Sequence, residues 1–150
     1  MTDSIPVLEL SEPLARQIRD EGVAAYPNEC CGIIFGRDVT SAGVTRRVVE
    51  SLEAVQNEFE PGEQYHRFLI TPAALMKAEK ACSGGLMVLG FYHSHPDHPA
   101  RPSEYDREHG WPFYSYVIVA IAQREPKLMT CWVLDEQTEQ FKEQAISVKS

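Results

Sequence analysis

An apolar run of strand length, residues 86–92 (Leu-Met-Val-Leu-Gly-Phe-Tyr), feeds directly into His93-Ser94-His95-Pro96. The run follows Gly84-Gly85 and has the length and composition of a buried strand. On an extended chain, side chains two apart share a face, so His93 and His95 project the same way. Two imidazoles on one side of a strand end make half of a metal site. Pro96, Pro99 and Pro102 stiffen the polar turn that follows and stop the strand. Ser103 opens a short helix, and Asp106, one turn in, can face back toward the histidines. His93, His95 and Asp106 therefore read as three zinc ligands, with a fourth position left for water. Iron or manganese would suit two histidines and a carboxylate as well.

Composition narrows the setting. A chain of 150 residues fits one domain, residues 1–150, and can bury roughly two thirds of its unfolded surface. The net charge of −8 argues against a nucleic-acid binder, which would show a basic face. The first residues, Met-Thr-Asp-Ser-Ile-Pro, lack the basic and apolar regions of a signal peptide. No apolar run approaches the roughly 18–20 residues that span a bilayer. A soluble, cytoplasmic protein without membrane or nucleic-acid partners is expected. Cys30, Cys31, Cys82 and Cys131 show no Cys-x-x-Cys spacing and read as small core residues in a reducing compartment.

Along the chain, residues 7–10 read as a strand. Ser11 is an N-cap and Pro13 lies in the first turn of a helix to about Tyr26, with Leu14, Ile18 and Ala25 inward. Residues 31–36 form a buried strand between glycines. Residues 44–52 form its partner, with Thr45, Arg46 and Arg47 as the signature of a sheet edge. Residues 53–64 read as a loop and 65–70 as a strand. Thr71-Pro72 starts a helix to about Ser83. After the histidine strand and the short helix from Ser103 to His109, strands follow at 114–122 and 127–134, with a last one at 141–148. Trp111, Phe113, Tyr114 and Tyr116 are expected to pack on the sheet. The expected fold is a single-domain α/β layered structure, a curved, largely antiparallel mixed sheet flanked by helices.

A zinc hydrolase needs a general base that is not itself a ligand. Asp97, Glu104 and Glu108 are candidates, but Asp97 and Glu104 face solvent on the turn. Glu29 is preferred, because it sits between a helix end and a buried strand, beside cysteines and glycine. Ser103 and Asp106 also match the N-capping box Ser-x-x-Asp, a structural role that Asp106 cannot fully combine with metal binding. His66, His98 and His109 read as solvent-facing or supporting residues. The run His93-Ser94-His95-Pro96-Asp97-His98 also spells the two-zinc signature His-x-His-x-Asp-His, but the downstream histidine that such a site needs is missing. Amidohydrolase barrels need roughly 250 residues.

Glu29, His93-Ser94-His95-Pro96 and Ser103-Glu104-Tyr105-Asp106 together resemble the motif of the JAMM (MPN+) metalloprotease family, with the similarity in layout running from about Val7 to Leu134. The resemblance implies an MPN-like fold and one Zn2+ on His93, His95 and Asp106. It implies Glu29 holding the water and Ser103 supporting the oxyanion. It further implies hydrolysis of a peptide or isopeptide bond at the C-terminal Gly-Gly tail of a ubiquitin-like protein. Small stand-alone prokaryotic members suggest a sulfur-carrier protein as partner, with cysteine among the groups released. A non-catalytic scaffold of the same fold and a RadC-like DNA-repair protein are the alternatives.

Overall fold

The computed structural model describes residues 5–57, 59–64 and 70–150. Eight strands and three α-helices follow one another in the order β1 (Val7–Ser11), α1 (Glu12–Ala25), β2 (Cys31–Ser41), β3 (Val44–Val55), α2 (Pro72–Ala81), β4 (Met87–Pro96), α3 (Glu104–His109), β5 (Ser115–Ala122), β6 (Glu125–Leu134), β7 (Phe141–Gln144) and β8 (Ile146–Lys149). A single 3-10 turn, Pro61–Glu63, interrupts the segment between β3 and α2. The strand expected at 65–70 falls almost wholly outside the described residues.

The strands form one sheet in the order β7-β6-β5-β4-β2-β3-β1-β8. β4 pairs antiparallel with β2 and parallel with β5, while β1 runs parallel to both β3 and β8. The other neighbours, β2 with β3, β5 with β6 and β6 with β7, are antiparallel. The two ends of this order, β7 and β8, are separated in the chain only by Ala145. The sheet must therefore curl until its edges meet, and Gln144 Nε2 donates to Pro6 O at 2.6 Å across that seam. The single strand expected at 141–148 is thus two, one for each edge.

Inside the curl lies α1, held at its start by Ser11, whose side chain accepts from Leu14 N. Ala15, Ile18 and Gly22 form its buried stripe, at the spacing of a single helix face. They pack with Leu8, Leu10, Ile34, Leu89, Tyr92, Val117 and Val119. The outer face carries Ile33, Phe35, Val88, Phe91 and Tyr116 beneath Ala78 of α2. Trp111, Tyr114 and Tyr116 surround Phe91 with ring centroids 5.3–5.7 Å apart, as expected. Phe113 instead remains about half exposed, under the Arg47 guanidinium at 4.7 Å.

β3 is not an edge strand. It lies between β2 and β1, and Arg47 is 7% exposed. β1 pairs along its outer side, and the Arg47 side chain meets a bulge in β4, where Ile34 pairs with Gly90 but Phe35 with Val88, leaving Leu89 over. Arg47 Nη1 donates to Leu89 O at 3.3 Å, to Phe113 O at 2.7 Å and to Ser115 Oγ at 3.0 Å. A buried guanidinium thus satisfies carbonyls that the irregular ladder leaves over. Gly90 is required here because a Cβ would lie 1.8 Å from Ser115 O. β2 outruns its expected end at Gly36 because residues 37–41 continue the hairpin beyond the core, closed by Ala42 and Gly43 at φ 52° and 78°. None of the four cysteines forms a disulfide, and Cys31 and Cys131 are buried. Among the described residues, no helix is long and apolar enough to cross a membrane.

Candidate metal centre

β4 delivers the two histidines as its alternation dictates. Tyr92 and Ser94 face α1, while His93 and His95 share the outer face with Phe91. Tyr92 donates to Glu21 of α1 at 2.6 Å, which fixes the register of the strand end. Both imidazoles are buried, with their Nε2 atoms 3.1 Å apart. Asp106 Oδ2 lies 3.3 Å from each of those nitrogens.

α3 places Asp106 through its cap. Asp106 N donates to Ser103 Oγ at 3.1 Å, and Ser103 N donates to Asp106 Oδ2 at 2.8 Å, completing the capping box. The same oxygen that closes the cap also faces both imidazoles. The competition expected between capping and ligation is therefore resolved geometrically, since one carboxylate oxygen can accept from the cap and still point into the centre.

His95 is oriented from behind. Its Nδ1 donates to Pro99 O at 2.8 Å, which leaves the Nε2 lone pair aimed at the centre. The loop that supplies this carbonyl folds back over the outer face of β5 and β6. Ala100 packs on Ile118 and Ala120, and Ala100 O accepts from Thr130 Oγ1 at 2.7 Å. Asp97, at φ 57°, anchors the start of the loop, accepting Tyr26 OH at 2.6 Å and Gln123 N at 2.8 Å. The sequence gives no signal for these supports, because they join segments far apart in the chain.

Glu29 arrives from the other side. β2 pairs with β4 in the register Cys31 to His93, which carries Glu29 toward His95. Its N donates to Gln64 O at 2.7 Å, and its carbonyl accepts from Asn57 Nδ2 at 3.2 Å. The next residue is pinned by Ser94, whose Oγ accepts Cys30 N at 2.8 Å. Glu29 is 5% exposed, and among the described residues its Oε1 has no hydrogen-bond partner. One carboxylate oxygen of Glu29 and one nitrogen of each histidine lie within 4.8 Å of one another.

The electrostatics follow from this burial. Burial pushes the Glu29 carboxyl up to about 8. Burial likewise lowers His93, favouring the neutral ring. For His95 burial works against charge, but the hydrogen bond to Asp106 and its negative charge carry the pKa above the ordinary value. Burial alone would raise Asp106, yet the two imidazoles outweigh it and hold the carboxyl well below the usual range.

The donor set has the chemistry and spacing for a divalent ion. A tetrahedral zinc with bonds of about 2.0–2.1 Å holds its ligand atoms about 3.3–3.4 Å apart. His93 Nε2, His95 Nε2 and Asp106 Oδ2 stand close to that spacing, the two nitrogens 3.1 Å apart and each 3.3 Å from the carboxylate oxygen. Glu29 joins neither ring by a hydrogen bond or ion pair among the described residues, so it suits a bridging water better than direct ligation. The centre opens into a cleft of about 420 Å³ whose wall includes Glu29, His95, Arg101, Ser103 and Tyr105. Of the remaining histidines, His98 is exposed on this wall and His109 stacks on Tyr105 at 4.1 Å, away from the donor atoms. His66 lies outside the described residues.

The model of a family described as prokaryotic homologs of the JAB domain matches residues 11–135. Desampylase of Haloferax volcanii is 35% identical over 137 residues, covering 86% of this chain and 85% of that protein. A protein of known solution structure from Salinibacter ruber is 35% identical, with a TM-score of 0.67 over 95% of this chain and 92% of its own. A JAB1/MPN domain protein from Archaeoglobus fulgidus, 20% identical, shares the fold with a TM-score of 0.59 over 95% of this chain and 99% of its own. With the family model spanning most of the chain, this protein belongs to the prokaryotic JAB-domain homologs, within the JAMM (MPN+) family.

Proposed function

We propose that the chain is a zinc-dependent metallopeptidase that cleaves a peptide or isopeptide bond at the C-terminal Gly-Gly tail of a ubiquitin-like protein. The observation that carries this reading is a buried Glu29 oxygen, without a hydrogen-bond partner among the described residues, beside two imidazole nitrogens on which Asp106 also converges, at the head of an open cleft. A scaffold module has no use for such a carboxylate, because burying it without a partner costs stability. The similarity to Desampylase supports a hydrolase acting on a ubiquitin-like modifier, and a sulfur carrier of that class is the substrate we favour.

His93, His95 and Asp106 would hold the zinc, whose chemistry there is to acidify water and polarise the scissile carbonyl. Glu29 takes the proton from the attacking water and returns it to the departing amine. Its burial beside the imidazole nitrogens places it to serve both halves of that exchange. Ser103 Oγ is occupied as an acceptor by Asp106 N, so its own hydrogen is free to be donated to the developing oxyanion. Glycines at the tail pass the cleft because they carry no side chain. The whole chain acts as one domain, and four cysteines without a disulfide fit a reducing cytoplasm.

The test is incubation of a Gly-Gly-ended ubiquitin-like protein carrying a C-terminal extension, followed by intact-mass measurement. Cleavage after Gly-Gly that stops with chelator and returns with zinc is expected. A zinc-loaded protein that leaves extended and ε-linked substrates intact overturns the proposal.

A further inference from the structure

Arg101 stands on the cleft wall with an uncommitted guanidinium. It is exposed, and among the described residues no carboxylate pairs with it, in a chain of net charge −8. The acid nearest in sequence is already taken: Glu104 is held by Arg107, through Nε at 3.0 Å and Nη2 at 2.7 Å. The backbone that carries Arg101 is fixed on both sides. Arg101 N donates to Pro99 O at 2.8 Å, the same carbonyl that receives His95 Nδ1. Ala100 is buried and its carbonyl accepts Thr130 Oγ1. Pro99 and Pro102 restrict the chain around it. A free cationic fork is thus mounted on the very carbonyl that orients a histidine of the metal centre.

Resting on the reading of this cleft as a Gly-Gly peptidase, we propose that Arg101 is a specificity-determining residue that binds the free α-carboxylate of a single amino acid leaving from the Gly-Gly end. In an α-linked terminal amino acid the carboxylate lies two bonds from the scissile nitrogen, so it must sit at the wall of the centre itself. A lysine joined through its ε-amine presents only methylenes there. Guanidinium pairs with carboxylate through two parallel hydrogen bonds, a match of shape as well as charge. His95 and His98, the other basic side chains on this wall, offer no such fork.

Three short synthetic peptides sharing one tail that ends in Gly-Gly test this with zinc-loaded enzyme. One continues into alanine with a free carboxylate, one into alanine carboxamide, and one is joined to the ε-amine of a doubly capped lysine. The free acid should be preferred roughly 10- to 100-fold in kcat/KM, chiefly through KM, as expected for a charged hydrogen-bonded pair. Arg101→Gln should bring the free acid down to the level of the carboxamide and leave the carboxamide unchanged, while Arg101→Lys keeps part of the preference. Equal rates for acid and carboxamide, or an Arg101→Gln variant slow on all three peptides alike, overturns the role of Arg101 and leaves the hydrolase intact. Absence of chelator-sensitive cleavage of any peptide overturns the hydrolase reading and this inference with it.

Discussion

Replacing Glu29 with glutamine should stabilise the metal-free protein while destroying its activity. Glu29 is 5% exposed, its Oε1 has no hydrogen-bond partner among the described residues, and burial moves its pKa from 4.5 to about 8. A raised carboxyl pKa means that the folded state resists ionisation. The contribution to stability is whole below about pH 4.5 and drains away as pH rises toward 8. At about 1.4 kcal/mol per pKa unit, the loss is on the order of 3 kcal/mol at pH 7 and 5 kcal/mol at pH 9. Glutamine has the same shape and no charge to bury, so the variant escapes this slope. Urea unfolding of both proteins in chelator at pH 5, 7 and 9 reads it, because titrating groups that do not interact with Glu29 cancel in the difference, leaving Glu29 with its neighbours His95 and Asp106. The variant should gain on the wild type as pH rises, by a few kcal/mol overall. With zinc restored, its kcat should fall roughly 10²- to 10⁴-fold, the usual share of a general base. A stability difference that stays flat from pH 5 to 9 would refute the burial argument, and unchanged turnover would remove Glu29 from the chemistry.

Further outcomes follow from other contacts. His95→Ala should lose its zinc together with activity, as read by elemental analysis after dialysis; full occupancy in that variant would contradict the proposed ligand set. Ser103→Ala should cost about 1 kcal/mol in thermal or urea unfolding through the lost cap and roughly 10²-fold in kcat through the lost oxyanion donor. Ser103→Ala removes the cap acceptor and the hydroxyl donor together, whereas Ser103→Thr, which keeps the hydroxyl, should recover most of both. Arg47→Ala strands the acceptors Leu89 O, Phe113 O and Ser115 Oγ in the interior and should cost about 3 kcal/mol in urea unfolding; a loss under 1 kcal/mol would show that water replaces the guanidinium.

The strand, the shared face of His93 and His95, and the turn that brings back Asp106 were legible in the sequence because they depend on local rules. Period-two alternation, proline stiffness and the capping box each act within a few residues. Glu29 was legible only as a preference among four carboxylates, since its approach to His95 depends on the pairing of Cys31 with His93, partners 62 positions apart. Arg47 was misread for the same reason: a charged residue in a strand signals an edge unless a distant bulge leaves carbonyls for it to satisfy. The last strand divided in two because the curl of the sheet, which no local pattern encodes, puts both of its edges beside Ala145.

By itself, then, the sequence determined which side chains carry the chemistry and the order in which the chain presents them, because side-chain direction on a strand and capping at a helix start are short-range properties. Tertiary structure alone decided that three donor atoms meet within 3.3 Å, that Pro99 aims one imidazole, and that Glu29 Oε1 and the Arg101 guanidinium on the cleft wall find no partner among the described residues. Those are matters of long-range register and burial, fixed only when β2, β4 and α3 converge on one end of a curled sheet.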